Sequence, residues 1–177
     1  KLTILHNCVN IETLVPRRTK EEVYAEFQLT MDTHLIINVG SMSAQKGHTY
    51  LLLAFKKVLR RFPNTILMLV GDGPLRPSLE KQASKLGMSQ QVLFLGIRMD
   101  VPDLLNASTL FVLPSLWEGI SLALIEAGVM GLPIVASDVS GVSVVVRDGE
   151  SGFIVPPRTP ALLAKKMVEL LQSASLR

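Results

Sequence analysis

The stretch HLIINVGSMSAQKGHTYLLLAFKKVLRRFPNTILMLVGDG (34–73) carries the pattern that decides the fold. Its two short apolar runs, HLIINV and TILMLV, each end at a glycine and do not alternate with polar residues. Such runs are typical of parallel strands that are covered on both faces. Between them, lysines and arginines lie opposite apolar residues that repeat at helical spacing, namely Leu51, Phe55, Val58 and Phe62. The stretch therefore predicts a strand, a helix and a second strand.

The same alternation continues along the rest of the chain. Further strands are predicted at LTIL (2–5), VLFLG (92–96), TLFVLP (109–114) and PIVAS (133–137). Further helices are predicted within VPRRTKEEVYAEFQL (15–29), LRPSLEKQASKLG (75–87), DVPDLLNA (100–107), SLALIEAGVMG (121–131) and TPALLAKKMVELLQS (159–173). The segment SGVSVVVRDGESGFIVPP (140–157) predicts short extended pieces instead.

Two of these helices carry end signals. Gly87 suits a glycine cap, and Thr159 with Pro160 suits an N-cap followed by the first helical residue. Strands that alternate with helices predict βαβ units and a parallel sheet, and right-handed crossovers cover both of its faces. We therefore predict an α/β fold, a doubly wound parallel sheet in a three-layer, Rossmann-like αβα domain. Ligands of such sheets bind at the carboxyl ends of the strands, so the following loops are the candidate site.

Composition excludes several classes of protein. The chain has 177 residues, about one domain, with 48% hydrophobic and 19% charged residues, which argues against disorder. Its net charge of +3 comes without a basic stripe, so we expect no nucleic-acid partner. The single cysteine, Cys8, excludes an internal disulfide and fits a reducing compartment. We expect a part of a longer cytoplasmic protein that acts free or peripheral to a membrane.

The stretch PSLWEGISLALIEAG (114–128) places two carboxylates, Glu118 and Glu126, around a predicted helix start. If the helix begins near Ser121, the amides just before it lack acceptors, and the position favours an anion. Glu126 lies roughly 7.5 Å further along the axis, and helical side chains tilt back toward the N-terminus. It is placed to accept from a ribose diol, while Glu118 accepts from sugar hydroxyls on the other side. The alternative for Glu118 is a solvated or helix-terminal charge.

Three other loops carry weaker signals. Lys46 in GSMSAQKGH (40–48) lies at a helix start, where backbone N–H groups are free; it is an anion ligand or an ordinary solvated lysine. The loop GDGPLR (71–76) has too few glycines for a dinucleotide site, which favours a simple tight turn. Backbone amides at Ile97 and Arg98 are able to pair with a base edge, or belong to an ordinary loop.

The segments SLWEGISLALIEAGVMGLPIVASDVSG (115–141) and DGESGFIVPP (148–157) together resemble the donor-binding half of family 4 glycosyltransferases. VGSMSAQKG, LVGDGP and LG fall in the same order as in that family, and the resemblance runs from about Asn7 to about Leu171. These are retaining enzymes of the GT-B type, with two Rossmann-like domains around a cleft. The resemblance implies an interdomain linker at residues 1–18 and a C-terminal donor-binding domain at residues 19–177.

The resemblance also implies roles for individual residues. Glu126 would hold the ribose hydroxyls, and Glu118 would contact the donor sugar. Lys46 would neutralise the diphosphate leaving group, so that Glu118 and Lys46 form the catalytic pair. Backbone amides would take the phosphates at Gly119, Ile120, Ser121 and Leu122, and the base at Ile97 and Arg98. The sequence has no D-x-D pair for a metal, so we expect no metal or cofactor, with Lys46 and the helix terminus supplying the electrostatics.

The chain departs from the family at Ser41, where an arginine usually faces the diphosphate. The predicted function is donor binding for a transferase that moves a sugar to a saccharide, lipid or other acceptor. The expected partners are a nucleotide sugar, the N-terminal GT-B domain of the same protein and a membrane-associated acceptor; the chain alone is expected to be inactive. Two alternatives stay open: a non-catalytic nucleotide-binding or assembly module, which Ser41 favours, and a GT-B epimerase.

Overall fold

The computed structural model describes residues 8–173, which form a six-stranded sheet with every strand parallel to its neighbours. The strands lie in the order β3-β2-β1-β4-β5-β6. Their bounds are β1 His34–Val39, β2 Thr65–Val70, β3 Val92–Gly96, β4 Leu110–Leu113, β5 Ile134–Ser137 and β6 Gly152–Val155. The strand predicted at residues 2–5 lies outside the described residues.

Helices cover both faces of the sheet. They are α1 Lys20–Glu26, α2 His48–Leu59, α3 Arg76–Lys85, α4 Val101–Ala107, α5 Leu122–Val129, α6 Val142–Val145 and α7 Pro160–Gln172. The core on one face contains side chains of α2, α3 and α7, and the core on the other contains those of α1, α4, α5 and α6. The prediction of a doubly wound, three-layer α/β domain is confirmed. Within residues 8–173, no helix combines the length and apolar character needed to cross a bilayer.

Strand register explains why the central strands are mostly apolar. Ile36 lies opposite Leu67 and Leu110 on the two neighbouring strands, and all three side chains belong to the same core. The next residue, Ile37, lies opposite Met68 and faces the other core. Successive side chains point to opposite faces, so a strand with two buried faces has few polar positions. The exception in β1 is the buried Asn38, whose side-chain amide donates to Val112 O at 2.8 Å.

The strand order sets the position of the site. From β1 the chain continues to α2 on one face, and from β4 it continues to α5 on the opposite face. Loops from adjacent strands that diverge in this way open a crevice at the carboxyl edge, which is where doubly wound sheets bind ligands. Here the two loops are residues 40–47 and 114–121, both of which the sequence singled out.

Most of the predicted helices and strands are present in the structure, and one prediction of an extended segment was wrong. The cap at Gly87 is confirmed, since Gly87 has φ +67° and the next amide, of Met88, donates to Ala83 O at 2.9 Å. Residues 142–145 form the helical turn α6 and not an extended piece. Val142 and Val146, four residues apart, are both buried, and the Val146 amide donates to Val142 O. Burial on one helical face outweighs the strand preference of β-branched residues here.

The last helix begins as predicted, with Thr159 before it and Pro160 as its first residue. The Thr159 hydroxyl makes no capping bond and donates to Pro156 O. Because proline has no N–H, the first turn has one fewer donor to satisfy.

Candidate active site

The loops at the carboxyl edge touch backbone to backbone, and glycine is required at the contacts. Gly47 has φ +63°, and a Cβ on it would lie 2.1 Å from Pro114 O. Gly141 has φ +81°, and a Cβ on it would lie 1.8 Å from Gly119 O. The loop after β4 is therefore held between the loops after β1 and β5, and no side chain fits at either contact.

The loop after β2 joins the same arrangement. A Cβ on Gly73 would lie 2.8 Å from Met42 N, and the Leu75 amide donates to Met42 O at 2.9 Å. Gly73 is thus needed for a close approach between loops, a role that the predicted tight turn did not include. The Met42 side chain is buried in the core that contains α2, α3 and α7, which anchors the loop after β1.

Lys46 lies at the centre of the crevice. Its Nζ is 2.6 Å from Glu118 Oε1, and its stem crosses Gly40, where a Cβ would lie 3.4 Å from the Lys46 Cε. The amides of Lys46 and Gly47 donate to Ser43 O and Ala44 O within a short 3-10 turn. The predicted free amides therefore belong to the next two residues: in the described part of the chain, those of His48 and Thr49 at the start of α2 donate to no protein acceptor.

Glu118 lies among donors from two loops. Its Oε1 accepts from Ser115 Oγ at 2.7 Å as well as from Lys46, and its Oε2 is 3.3 Å from Gln45 Nε2. The side-chain amide of Gln45 also donates to Trp117 O at 3.0 Å. The backbone carbonyl of Gln45 accepts from the backbone amide of Leu116. Sequence reasoning missed Gln45 and Ser115. Nothing in the sequence signals Gln45, because its partners are more than 70 residues away along the chain.

Helix α5 begins where the sequence placed it. Ser121 is the N-cap, and its hydroxyl accepts from the Leu124 amide at 3.4 Å. Within residues 8–173, the amides of Gly119, Ser121 and Leu122 donate to no protein acceptor. No described atom lies within 4 Å of a Cβ built on Gly119, so the space beside this residue is open. Free amides at a helix N-terminus are a ready anion site.

Glu126 lies within α5 and is half-buried. No hydrogen-bond donor to its carboxylate is found in the described part of the chain, and burial raises its pKa. A half-buried carboxylate without a donor destabilises a fold. Glu126 therefore has unused acceptor positions, which hydrogen-bond donors of a ligand are able to fill.

The remaining predicted site residues lie on two loops. Ser41 is exposed, and its hydroxyl lies 3.3 Å from Ser43 Oγ. The loop after β3 holds Ile97, which is 81% exposed, and Arg98. This loop is separated from the crevice by β2 in the strand order, so the structure does not bring Ile97 and Arg98 next to Lys46 and Glu118.

The side chain of Arg98 is occupied by the protein. Its guanidinium donates to Asp100 at 2.7 Å and 2.8 Å and to Glu26 at 2.9 Å. Arg18 joins the same network through Asp100, Glu26 and the buried Asp103. Only the backbone of Arg98 is available for the predicted contact with a base.

Asp103 connects the start of the chain to this network. Its Oδ1 accepts from the Arg17 amide at 2.6 Å and from the Arg18 amide at 3.2 Å. Burial alone would raise the pKa of Asp103, but these amides and the Arg18 guanidinium lower it overall. The residues before α1 are therefore tied to α4 by a buried carboxylate, which the sequence did not indicate.

His48, the first residue of α2, is buried, and neither of its ring nitrogens has a partner among the described residues. Burial, and then the nearby charge of Lys46, lower the pKa of His48 from 6.5 to about 4. The unfolded imidazole takes up a proton below pH 6.5 while the folded one stays neutral. We therefore expect the free energy of unfolding to fall by about 3 kcal/mol between pH 6.5 and pH 4, with the contribution intact above pH 6.5.

Urea unfolding of the wild type and of His48→Leu across this range measures the contribution of His48. Carboxylates titrate in the same window, so the quantity to follow is the difference in unfolding free energy between the two proteins. It should grow as the pH falls, with the variant the more stable protein at pH 4. A difference that is independent of pH would mean that His48 is protonated in the folded state.

No group of three or more His, Cys, Asp or Glu side chains within residues 8–173 is placed to hold a metal ion. The electrostatic features that the crevice itself shows are the Lys46 ammonium, the Glu118 carboxylate and the free amides at the start of α5.

Comparison with known proteins identifies the family. The sequence model of the glycosyl transferases group 1 matches residues 19–177. A UDP-Gal:alpha-D-GlcNAc-diphosphoundecaprenol alpha-1,3-galactosyltransferase from Escherichia coli is 32% identical over 159 residues, which are 88% of this chain and 41% of that protein. An alpha-D-kanosaminyltransferase from Streptomyces kanamyceticus is 35% identical over 149 residues, 82% of this chain and 38% of that protein. The chain thus spans less than half the length of these relatives.

Solved structures show the same fold. WaaG, a glycosyltransferase involved in lipopolysaccharide biosynthesis, aligns with a TM-score of 0.81 at 28% identity, over 89% of this chain and 43% of that one. HepE from Anabaena, in complex with UDP and glucose, aligns with a TM-score of 0.90 at 23% identity, over 98% of this chain and 48% of that one. The resemblance drawn from the sequence is confirmed: this chain belongs to the group 1 glycosyl transferases.

Proposed function

We propose that the chain is the donor-binding half of a retaining glycosyltransferase that uses a nucleoside-diphosphate sugar. The observation that carries the proposal is Glu126, a half-buried carboxylate without a protein donor that follows the free amides at the start of α5. A diphosphate supplies negative charge for those amides, and a ribose supplies hydroxyls for Glu126.

The geometry supports an order of contacts along the ligand. Two kinds of donor face a diphosphate placed in the crevice. One is the Lys46 ammonium on the loop after β1. The other is the group of free amides where the loop after β4 meets α5, namely Gly119, Ser121 and Leu122. The backbone of Ile97 and Arg98, on the loop after β3, is assigned to the base. Ser41 and Ile120 complete the lining of the phosphate site.

In the proposed reaction, the bond between the sugar C1 and the diphosphate oxygen breaks, and a bond to the acceptor oxygen forms on the same face of the sugar. The acceptor proton passes to an oxygen of the leaving diphosphate. The residues of this chain stabilise the charge that develops on the diphosphate, through Lys46 and the amides at the start of α5. No step of this scheme requires a metal ion or a cofactor.

The acceptor site is assigned to a second domain. This chain matches about two fifths of its relatives' length, so a two-domain enzyme is the arrangement that we propose. Residues 1–18 would then form the interdomain linker and residues 19–177 the donor domain. The acceptor would be a saccharide, a lipid or another molecule at or near a membrane that borders the cytoplasm. The isolated chain would bind a nucleotide and transfer no sugar.

A non-catalytic module is a second candidate because Ser41 stands where the family usually has an arginine. The loop after β1 therefore brings one cation, Lys46, to the crevice. Nucleotide binding separates the two proposals. A chain that binds no nucleoside diphosphate is a degenerate module, whereas one that binds through Lys46 and Glu126 retains the donor site.

The test is calorimetric titration of the chain with UDP, GDP and ADP and with the 2′-deoxy form of each. We expect one of the three to bind, and its 2′-deoxy form to bind roughly tenfold more weakly because one hydroxyl donor to a carboxylate is lost. In Glu126→Leu the two forms should bind equally. Because burial raises the pKa of Glu126, ionised Glu126 destabilises the fold, and the variant should be at least as stable as the wild type.

The control is Glu169→Leu, which removes a carboxylate that is also half-buried, near the end of α7, and that pairs with Lys166 at 2.7 Å. This variant should keep the wild-type preference for the ribose form. Loss of the preference in both variants would indicate general damage to the domain. An unchanged preference in Glu126→Leu would rule out Glu126 as the ribose ligand.

A further inference from the structure

The loop after β3, residues 97–99, is held by a side chain and not by its backbone. Among the described residues, the backbone N–H and C=O groups of these three residues form no hydrogen bond with the protein. The side chains of Ile97 and Met99 are 81% and 94% exposed, so they have little contact with the domain. In the described part of the chain, the Arg98 side chain therefore fixes the loop between β3 and α4.

Two carboxylates, one at the end of α1 and one just before α4, bind the Arg98 guanidinium. Asp100 accepts from Nε at 2.8 Å and from Nη2 at 2.7 Å, and Glu26 accepts from Nη2 at 2.9 Å. A bidentate pair of this kind fixes the plane of the guanidinium as well as its position. The guanidinium carbon also lies 6.0 Å from the centre of the Phe27 ring.

Neither carboxylate is where helix stability alone would favour it. Glu26 is the last residue of α1, where a negative charge opposes the helix dipole. Asp100 occupies the N-cap position of α4, but its side chain makes no capping bond. It accepts from the guanidinium groups of Arg98 and Arg18 instead. In both cases the pairing with arginine replaces a contribution to the helix.

Arg18 holds the same two carboxylates. Its guanidinium donates to Glu26 at 2.6 Å and to Asp100, and its Nε donates to the buried Asp103 at 3.1 Å. The side chains of Glu26 and Asp100 are 30% and 27% exposed. An isolated ion pair with this exposure would contribute little, whereas several charges in one network hold a defined geometry. The network is therefore able to restrain Arg98.

We propose that Glu26 and Asp100 are positioning residues that hold Arg98, and through it the backbone of residues 97–99, in the place where a nucleotide base binds. This inference rests on the proposed function, in which the backbone of Ile97 and Arg98 contacts the base. Hydrogen bonds to a base edge require donor–acceptor distances of about 2.7 to 3.2 Å. A loop that is already fixed at such distances loses less conformational entropy when the base binds. The network thus raises the affinity for the base and leaves the affinity for the phosphates unchanged.

Glu26→Ala separates the base from the phosphates. The variant should bind whichever of UDP, GDP and ADP binds the wild type most tightly about fivefold more weakly, because the loop must then be ordered on binding. Inorganic pyrophosphate has no base, so its affinity should stay at the wild-type value. Calorimetric titration measures both affinities. An equal loss for the two ligands would indicate general damage to the crevice and would overturn the inference.

The matched control is Glu21→Ala, which removes the same charge from an exposed residue in the first turn of α1. Both affinities should stay at their wild-type values in this variant. A selective loss of nucleotide affinity in Glu21→Ala as well would attribute the effect to the charge of the helix and would contradict a role for the contact with Arg98.

A double-mutant comparison asks whether Glu26 acts through Arg98. Arg98→Met removes the guanidinium and keeps the backbone, so the ratio of nucleotide to pyrophosphate affinity should fall by roughly tenfold. In the Arg98→Met background, Glu26→Ala should cause no further decrease of this ratio. A further decrease would mean that Glu26 affects the base by another route, and the positioning role would be wrong.

Backbone ¹⁵N relaxation of the free wild-type protein requires no substitution. The amides of residues 97–99 should have order parameters of about 0.85, as in rigid backbone, and values below about 0.6 would overturn the inference. Wild-type protein that binds none of the three nucleotides would refute the proposed function itself. Nucleotide binding with an unchanged affinity ratio in Glu26→Ala refutes only the positioning role.

Discussion

Replacing Gly47 by alanine is expected to lower the free energy of unfolding by about 3 kcal/mol or more. The new Cβ would lie 2.1 Å from Pro114 O, and Gly47 has φ +63°, so the substitution adds a clash between two backbones to an unfavourable conformation. The loops after β1 and β4 must separate to relieve the clash. We therefore expect nucleotide affinity to fall together with stability.

Gly131→Ala is the matched control. Gly131 has φ +72°, and no described atom lies within 4 Å of its added Cβ. The only cost of the substitution is the free energy of placing alanine in the left-handed conformation, about 1 kcal/mol. Urea unfolding of both variants measures the difference, which reports the contact between the loops. Equal losses of stability would show that the contact with Pro114 relaxes without cost.

The second large effect is expected for Lys46→Met, which keeps the length of the stem and removes the charge. Affinity for a nucleoside diphosphate should fall by roughly 10- to 100-fold, because charge-assisted hydrogen bonds to the phosphates are lost. Calorimetric titration with UDP, GDP and ADP measures the change.

Lys57→Met is the control for Lys46→Met. Lys57 is an exposed residue of α2, and its replacement changes the net charge of the chain by the same amount. Affinity should stay at the wild-type value in this variant. A similar loss in both variants would mean that the overall charge of the domain, and not a contact in the crevice, attracts the nucleotide.

The parts of the site that lie close together in sequence were predictable. The helix around Glu126 follows from apolar spacing, and Ser121 is a residue type that favours the cap position, so both were placed correctly. The fold class was predictable for the same reason, because each strand–helix–strand unit shows its own periodicity. Local signals of this kind depend only on residues within one or two turns of each other.

Contacts between loops were not predictable. Lys46 and Glu118 are 72 residues apart, and no periodicity relates a lysine on one strand-to-helix loop to a glutamate on another. The prediction for α6 was wrong for a related reason. The valines of residues 142–146 favour a strand locally, and only the core of the folded domain makes a helical turn the better way to bury Val142 and Val146.

The backbone contacts at Gly47 and Gly141 restrict how this site is able to diverge during evolution. Inserting or deleting a residue in any of the three loops that they join would displace the other two, so loop length is a poorly tolerated variable. Exposed side chains such as Ile97 and Trp117 touch none of these contacts and are free to change one at a time. New ligand preferences would therefore arise by replacing side chains on a fixed backbone.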